Sequence, residues 1–446
     1  MKTDSSVRAV AFVGDYLPRQ CGIASFTSDL LGAVAGTEPP VECWAVSVND
    51  IAGGYRYPDA VRCEIEERDP ASYRRAAAFL NSSGVDAISL QHEFGIYGGP
   101  AGGHLLALLR DLRMPVVTTL HTVRARLNYH ESRVMRELLA RSARVVVMTE
   151  RARAILRDLY RVSPARIDVI PLGISGGPYI APSHYQERLG LVGKQVLLTF
   201  GLLYPHKGIE HVLHALPEVA AEFPDVLYIV LGATHPCELG ARGETYRQRL
   251  EAIVRERGIE KHVVFDNRYV DPRELAGFIA AADIYLTPYL GEEQASSGTL
   301  ANAFGAGKPV VSTPYCHAAE LLRDGRGVLV PFADAAAIAR ELRGLLRDPA
   351  RRQAMADGAY ELGREMVWSN VARLYLQSFA VARLQWQPAQ RDCGGLRSPG
   401  APPRELPKSD LRYVYHLLIR PFCLSARELL HRTYREAAAR IATPVR

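Results

Sequence analysis

The segment Gly173-Ile-Ser-Gly-Gly-Pro-Tyr-Ile-Ala-Pro182 divides the chain into two stretches that share one pattern of strands and helices. Its glycines and prolines are typical of a linker. On either side of it, short apolar runs rich in β-branched residues alternate with segments of helical spacing. This alternation predicts parallel strands joined by crossover helices, so that each stretch forms an open sheet covered by helices.

Five buried strands are predicted before the linker and six after it. The first five are Val7–Val13, Ala87–Leu90, Val116–Leu120, Arg144–Met148 and Ile167–Ile170. The other six are Val196–Phe200, Val226–Leu231, Val263–Phe265, Ile284–Thr287, Val310–Thr313 and Val328–Val330. Helical segments lie between these strands, and Asn370–Leu384 is the last of them before the tail.

The pattern predicts an α/β fold with two Rossmann-like, doubly wound lobes that face a cleft, plus a C-terminal helical extension. The predicted boundaries are 1–180 for the first lobe, 181–384 for the second, and 385–446 for a basic linker and helical tail. Ligands of such sheets bind beyond the carboxyl ends of the strands. We therefore expect the functional site in the cleft between the lobes.

Composition indicates a globular protein, because 48% of the 446 residues are hydrophobic and 23% are charged. The tail from residue 385 holds ten Arg and one Lys against two Asp and three Glu, and so carries the whole net charge of +6. A general nucleic-acid-binding surface is therefore not expected. The seven cysteines form no C-x-x-C pair, and the sequence has neither a long apolar stretch nor a signal-peptide pattern. A cytoplasmic protein is expected.

Two glycine-containing loops each stand between a predicted strand and a predicted helix. The first, Gly14-Asp-Tyr-Leu-Pro-Arg-Gln-Cys-Gly22, places Gly22 where the backbone can approach a ligand and a helix start can meet an anion. The second, Gly201-Leu-Leu-Tyr-Pro-His-Lys-Gly208, adds the charge of Lys207 to a helix start, which suits a diphosphate. An ordinary connecting loop and a solvated lysine are the alternatives.

A third loop, Gln294-Ala-Ser-Ser-Gly-Thr-Leu-Ala-Asn302, leads into a predicted helix. Four of its residues suit a helix cap and first turn whose amides point at a bound anion: Ser296, Ser297, Gly298 and Thr299. Gln294 precedes the helix and Asn302 lies one to two turns inside it. The alternative for Asn302 is a hydrogen bond within the core.

Two histidines stand at the carboxyl ends of predicted strands, in Gln91-His92-Glu93 and Leu120-His121-Thr122. Sites form at that edge of a parallel sheet, which favours a functional interpretation. A structural histidine with satisfied hydrogen bonds is the alternative for each. The sequence has no H-E-x-x-H, no Asp-x-Asp pair and no P-loop, so no metal site is predicted.

The combination of motifs resembles the retaining glycosyltransferases of family 4, which have the GT-B fold. The resemblance covers residues 7–384 and is carried by Gly22-Ile23, Ile170-Pro-Leu-Gly173, Gly201 with Lys207-Gly208, Ala282-Asp-Ile-Tyr-Leu-Thr-Pro288 and Gly305-Ala-Gly-Lys-Pro-Val-Val311. Two further stretches are similar to the mannosyltransferase-like subgroup: Gln91-His-Glu-Phe-Gly-Ile-Tyr-Gly-Gly99 and Ser296-Ser-Gly-Thr-Leu300.

The resemblance implies roles for the candidate residues. Lys207 and the amides near Ser297 and Gly298 would stabilise the departing diphosphate. His121 would lie beside the transferred sugar, and Gln294 would orient it.

Further roles follow from the same resemblance. Asn302 would stand where the ribose is held, and Gly201 and Thr299 would belong to the nucleotide side. His92 and Glu93 would face the acceptor on the first lobe.

Two positions depart from the family pattern. Gln294 and Asn302 replace a pair of glutamates, so their hydrogen bonds lack the strength that a charge adds. Leu202 stands where the family has an arginine, which leaves Lys207 without that partner. Arg268 is a candidate to take the place of the missing cation.

The resemblance implies a metal-independent, retaining transfer of a hexose, with mannose as the candidate, from a nucleotide-diphosphate sugar to a glycan or lipid-linked acceptor. No cofactor is expected apart from this donor substrate. A non-catalytic GT-B scaffold and a sugar-nucleotide epimerase or hydrolase are the alternatives. Residues 408–442 have Arg-rich amphipathic spacing, which indicates contact with a membrane surface or a protein, or packing on the first lobe.

Overall fold

A computed structural model of the chain describes residues 7–386. The predicted helical tail, including residues 408–442, lies outside this described part. Between residues 7 and 386 the chain forms two parallel sheets with apolar cores on both faces of each. The predicted α/β architecture of two doubly wound lobes is confirmed.

The first sheet contains seven strands: β1 (Ala9–Gly14), β2 (Glu42–Asn49), β3 (Val61–Glu66), β4 (Ala87–His92), β5 (Val116–Leu120), β6 (Arg144–Val147) and β7 (Ile167–Val169). All pair in parallel, in the order β3-β2-β1-β4-β5-β6-β7. Five α-helices connect them: α1 (Gly22–Ala35), α2 (Pro70–Ser82), α3 (Leu105–Asp111), α4 (Tyr129–Arg141) and α5 (Glu150–Asp158).

Two of these strands, β2 and β3, are absent from the sequence prediction, which has five strands in this half. In β3, which lies at the edge of the sheet, the exposed Arg62 and Glu64 alternate with less exposed residues. In β2, Ser47 interrupts the apolar run although it is fully buried. Neither strand therefore has the continuous β-branched run that marks a central parallel strand.

The second sheet contains six parallel strands: β8 (Gln195–Phe200), β9 (Val226–Leu231), β10 (Val263–Asp266), β11 (Ile284–Thr287), β12 (Val310–Ser312) and β13 (Val328–Leu329). Their order is β10-β9-β8-β11-β12-β13. All six predicted strands are confirmed, and each observed strand begins and ends within one residue of its predicted limits.

Ten α-helices follow the linker within the described residues: α6 (Pro182–Arg188), α7 (Ile209–Glu222), α8 (Pro236–Arg242), α9 (Thr245–Glu256), α10 (Pro272–Ala281), α11 (Gly298–Gly305), α12 (Cys316–Leu321), α13 (Ala335–Arg347), α14 (Pro349–Gly363) and α15 (Trp368–Gln385). Across residues 7–386, none of the helices has the combination of length and apolar character needed to cross a membrane.

The last helix, α15, returns to the first sheet. Its Tyr375 hydroxyl lies 2.9 Å from the Thr119 hydroxyl of β5, and Phe379 meets Phe12 of β1 edge to face. Just before α15, the chain pairs with the linker, because Ile174 donates to the Met366 carbonyl at 3.0 Å. The chain passes between the two sheets at the linker and again before α15, and this hydrogen bond joins the two passages.

The strand order of each sheet reverses once. In the first sheet the reversal lies between β1 and β4, and in the second between β8 and β11. Ligands of doubly wound sheets bind in the crevice beyond the carboxyl ends at this point. The fold therefore favours a binding site formed by the loops that follow these four strands.

Candidate functional site

Lys207 lies in the short helical turn Pro205–Lys207, after β8 and directly before Gly208 and α7. Its side chain is buried, and its ammonium donates a hydrogen bond to the Tyr289 hydroxyl at 2.5 Å. The same nitrogen lies 4.3 Å from the centre of the Tyr289 ring. Among the described residues, no carboxylate comes within ion-pair distance of Lys207. A buried ammonium without a counter-charge is costly, so this place suits an anion.

Gly201 brings the loop after β8 against the start of α11. Its φ is +107°, which a residue with a side chain rarely adopts, and a Cβ here would meet Thr299 Cγ2 at 2.9 Å and Lys207 Nζ at 3.5 Å. Both the backbone conformation and the close approach therefore require glycine. Gly201, Lys207 and Thr299, which are predicted to share a site, meet beyond the carboxyl end of β8.

The start of α11 leaves two backbone donors free. Ser297 caps the helix, because its Oγ accepts from the Leu300 N–H at 3.3 Å. Its own N–H donates to Nδ1 of His317 at 2.9 Å, so this amide is already engaged. The N–H groups of Gly298 and Thr299 have no acceptor within the described part of the chain. These two amides, rather than that of Ser297, are available to an anion.

Hydroxyl groups connect the lysine to the cap of α11. The Tyr289 hydroxyl lies 2.7 Å from Thr299 Oγ1, which lies 3.2 Å from Ser297 Oγ. Burial opposes ionisation of Tyr289, but the adjacent Lys207 ammonium and these hydrogen bonds hold its pKa below the ordinary value. Tyr289 is not among the predicted site residues. Its position directly after Thr287-Pro288, at the end of β11, is the signal that could have identified it.

The predicted sugar-orienting residue Gln294 lies in the loop before α11. Its side-chain Nε2 donates to the Ser296 carbonyl at 3.0 Å. Its backbone carbonyl accepts from the backbone N–H of His317 at 3.2 Å. The adjacent Ser296 Oγ donates to the carbonyl of His121 at 3.1 Å. The structure thus joins the loop of the second lobe to the carboxyl end of β5 in the first.

His121 follows β5 and is oriented by two contacts. Its Nε2 lies 3.1 Å from Gln91 Oε1, and its ring meets Phe26 edge to face at 5.0 Å. Because a carbonyl oxygen only accepts, Nε2 carries the proton. Desolvation lowers the pKa of His121 to about 4. His121 is therefore a neutral imidazole near neutral pH.

His92 is placed differently from the prediction that it faces an acceptor. The residue has no exposed surface, and its ring lies 5.0 Å from Phe94 and 6.3 Å from Tyr97. Neither ring nitrogen has a hydrogen-bond partner within residues 7–386, and burial lowers its pKa to about 3. His92 therefore belongs to the core. The adjacent Glu93 accepts from the Thr122 hydroxyl, and burial raises its pKa.

Gly22 is the first residue of α1, on the first-lobe side of the crevice, with no atom within 4 Å of an added Cβ. The loop before it contains a carboxylate that is not among the predicted residues. Asp15 is fully buried and accepts from Arg19 at 2.8 Å and from the Cys21 thiol at 3.2 Å. Burial outweighs the Arg19 charge and raises the pKa of Asp15 to about 7.

The two departures from the family pattern also have a defined place. Asn302 donates its amide to the Gly298 carbonyl at 2.9 Å, one turn back in α11. Arg268 pairs with Asp266 and Glu274, each at 2.7 Å, and is largely exposed. Its charge is already matched by two carboxylates, so the structure gives no support to Arg268 as a second cation beside Lys207. Within residues 7–386, no group of three or more His, Cys, Asp or Glu side chains could hold a metal ion.

Comparison with known families agrees with this architecture. Residues 39–175 match the model of Glycosyltransferase Family 4, and residues 183–362 match that of Glycosyl transferases group 1. HepE from Anabaena, solved with UDP and glucose, superposes with a TM-score of 0.68 at 17% identity, covering 84% of this chain and 99% of that one. Sucrose-phosphate synthase from Thermosynechococcus elongatus gives 0.67 at 18% identity, with coverage of 84% and 99%. These similarities show the fold.

Curated relatives are similar over part of the chain. Phosphatidyl-myo-inositol mannosyltransferase of Mycobacterium leprae is 34% identical over 41% of this chain and 45% of its own length. D-inositol 3-phosphate glycosyltransferase of Corynebacterium efficiens is 31% identical, over 59% and 65%. The chain thus spans about half to just under two thirds of these relatives.

Two lobes built on parallel sheets, the switch points of those sheets and both domain matches define the fold as that of the GT-B glycosyltransferases. The chain belongs to family 4 of these enzymes, and mannosyltransferases are among its relatives.

Proposed function

We propose that the protein is a retaining glycosyltransferase that moves a hexose from a nucleotide-diphosphate sugar to a glycan or lipid-linked acceptor. One observation carries the proposal: the buried Lys207 ammonium has no carboxylate partner in the described residues and lies in one cluster with Thr299 at the start of α11. The N–H groups of Gly298 and Thr299, which have no acceptor in residues 7–386, add two donors at that helix start. A diphosphate supplies the missing negative charge.

In the proposed reaction, the bond between the sugar C1 and the diphosphate oxygen breaks, and a bond from the acceptor oxygen to C1 forms on the same face. The acceptor hydroxyl proton passes to a diphosphate oxygen. Lys207 and the two amides stabilise the charge that develops on the leaving diphosphate. Because these donors are held before the reaction, little reorganisation accompanies the transfer.

His121 and Gln294 are proposed to contact the transferred sugar. They come from different lobes, and the hydrogen bond from Ser296 to the His121 carbonyl holds their chain segments together. The neutral His121 keeps Nε2–H on Gln91, so it positions rather than protonates. The proposed reaction assigns no role to a resident cofactor or metal. The nucleotide-diphosphate sugar is a substrate and not a cofactor.

Mannose is the proposed sugar. Its support is the printed names of relatives, which include a phosphatidyl-myo-inositol mannosyltransferase and a GDP-mannose-dependent mannosyltransferase of Mycolicibacterium smegmatis, 29% identical over 43% of this chain and 50% of that protein. The first name also supports a lipid-linked acceptor.

Titration calorimetry of GDP and UDP with the wild type, Lys207→Met and Lys261→Met tests the proposal. Lys261, an exposed lysine between α9 and β10, serves as the control. We expect at least one nucleotide to bind the wild type and Lys261→Met equally, and Lys207→Met about 10- to 100-fold more weakly, because charged hydrogen bonds are lost. Equal binding by all three proteins overturns the proposal.

Product analysis separates the alternatives. GDP-mannose and UDP-glucose are incubated with the protein, with and without a phosphatidylinositol acceptor. Transfer to the acceptor supports the proposal. An epimerase or hydrolase consumes donor equally without acceptor, and a scaffold consumes none.

A contact between residues 408–442 and a membrane or protein, together with a cytoplasmic location, is also proposed from the sequence alone. Flotation of the full chain and of a chain ending at residue 386 with anionic vesicles tests the membrane part. Equal flotation of both chains rejects it.

A further inference from the structure

The described residues contain a buried histidine, His317, outside the set predicted to form the site. It lies in α12, and its side chain is almost completely buried. Its Nδ1 accepts the Ser297 N–H at 2.9 Å, across 20 residues of sequence. Since Nδ1 accepts, the ring is neutral with its proton on Nε2. Burial agrees with this, because it lowers the pKa of His317 to about 4.

The same end of α12 holds the loop at two more points. The His317 N–H donates to the Gln294 carbonyl at 3.2 Å, and the Cys316 N–H donates to the Glu292 carbonyl at 3.0 Å. Three hydrogen bonds therefore tie residues 292–297 to the first turn of α12. Both backbone donors are amides that a helix start leaves unpaired.

The bond to Ser297 reaches furthest into the proposed donor site. Ser297 is the N-cap of α11, and only the backbone dihedrals of Ser297 and Gly298 separate its N–H from those of Gly298 and Thr299, so fixing this amide limits the directions of the next two. We propose that His317 is a positioning residue that acts through the Ser297 amide to aim these two N–H groups at a diphosphate. The inference rests on the proposed function and names a residue through which that site is built.

The Ser297 N–H needs a hydrogen-bond acceptor without charge, which explains why an imidazole suits this position. A carboxylate could also accept the Ser297 N–H, but its charge next to the start of α11 would repel a diphosphate. An apolar side chain would leave the Ser297 N–H buried without a partner. A neutral acceptor on a short, rigid side chain avoids both penalties.

Three substitutions separate these effects: His317→Asn keeps a neutral acceptor, His317→Asp keeps an acceptor but adds charge, and His317→Leu removes the acceptor. Binding of GDP, UDP and inorganic pyrophosphate is measured by calorimetry, and kcat and KM are measured with the donor that is turned over. We expect His317→Asn to stay within about threefold of wild type in affinity, and the other two to lose about 10-fold or more. The loss should appear in KM for the donor more than in kcat.

Several outcomes overturn the inference. One is equal pyrophosphate affinity in His317→Asn and His317→Asp, a comparison that remains available if His317→Leu does not fold. Another is a large loss of binding in His317→Asn while its thermal midpoint matches wild type, since a neutral hydrogen-bond acceptor for the Ser297 N–H would then not account for the effect of His317. The Lys207→Met result is independent: if Lys207→Met abolishes binding and His317→Leu binds normally, only the inference about His317 fails.

Discussion

The carboxylate of Glu320, in the second lobe, accepts the backbone N–H of Arg151, in the first lobe, at 2.7 Å. Its other oxygen accepts the Glu150 N–H at 2.8 Å, so one side chain satisfies two donors at the start of α5. A negative charge at this end of a helix is favourable. Glu320 belongs to α12, the helix that also hydrogen-bonds the loop of residues 292–297, so α12 contacts both lobes at once.

Replacing Glu320 with alanine should loosen this connection. Because two backbone donors lose a charged acceptor, we expect the free energy of unfolding to fall by about 1–3 kcal/mol. Hydrogen exchange at the amides of residues 150 and 151 should become about tenfold faster or more. The control is Glu341→Ala, which removes a surface ion pair with Arg351 and should change stability by less than about 1 kcal/mol. Unchanged exchange at both amides in Glu320→Ala would contradict the connection.

Tyr289→Phe keeps the ring but removes the hydroxyl shared by Lys207 and Thr299. We expect stability in urea to fall by about 1–2 kcal/mol, because the buried ammonium loses its oxygen partner. Nucleotide-diphosphate affinity should fall about fivefold, since Lys207 is less well held. Tyr375→Phe is the matched control, because within residues 7–386 its buried hydroxyl bonds only Thr119. It should lose similar stability and keep its affinity; equal affinity losses in both variants would reject the role of Tyr289.

His92→Phe should stabilise the protein at acidic pH. The pKa of His92 is about 3 in the folded chain against 6.5 for an unperturbed histidine, so the unfolded state binds more protons as the pH falls below 6.5. His92 therefore lowers stability between pH 6.5 and 3, and the wild type loses about 2 kcal/mol at pH 5 that the phenylalanine variant keeps. Urea unfolding of both proteins at pH 5 and pH 8 measures this difference.

The same variant decides whether His92 contacts an acceptor. Its ring lies in the core among Phe94 and Tyr97, so kcat/KM at pH 8 should stay within about twofold of wild type, the change expected when no site contact is lost. A large loss of kcat/KM with unchanged stability would return His92 to the acceptor side.

Much of the architecture can be predicted from local pattern. The six strands of the second lobe are short and mostly apolar, and Lys207 and the cap at Ser297 stand at strand-to-helix junctions whose position follows from that pattern. The strands β2 and β3 could not be found in this way, because the exposed charges of β3 and the buried Ser47 of β2 break the apolar period. His92 satisfies the strand-end rule, yet its side chain lies in the core of the first lobe.

The amino-acid sequence by itself determined the two-lobed α/β fold and the positions of the strand-to-helix loops that contain Lys207 and Ser297, because these depend on periodicity and turn chemistry within a few residues. Only the tertiary structure decided which backbone donors of α11 remain free in residues 7–386, that Tyr289 holds Lys207, and that His317 and Glu320 connect α12 to the loop of residues 292–297 and to α5. These contacts join residues up to 170 positions apart. They depend on how helices and loops pack against each other, which no local spacing encodes.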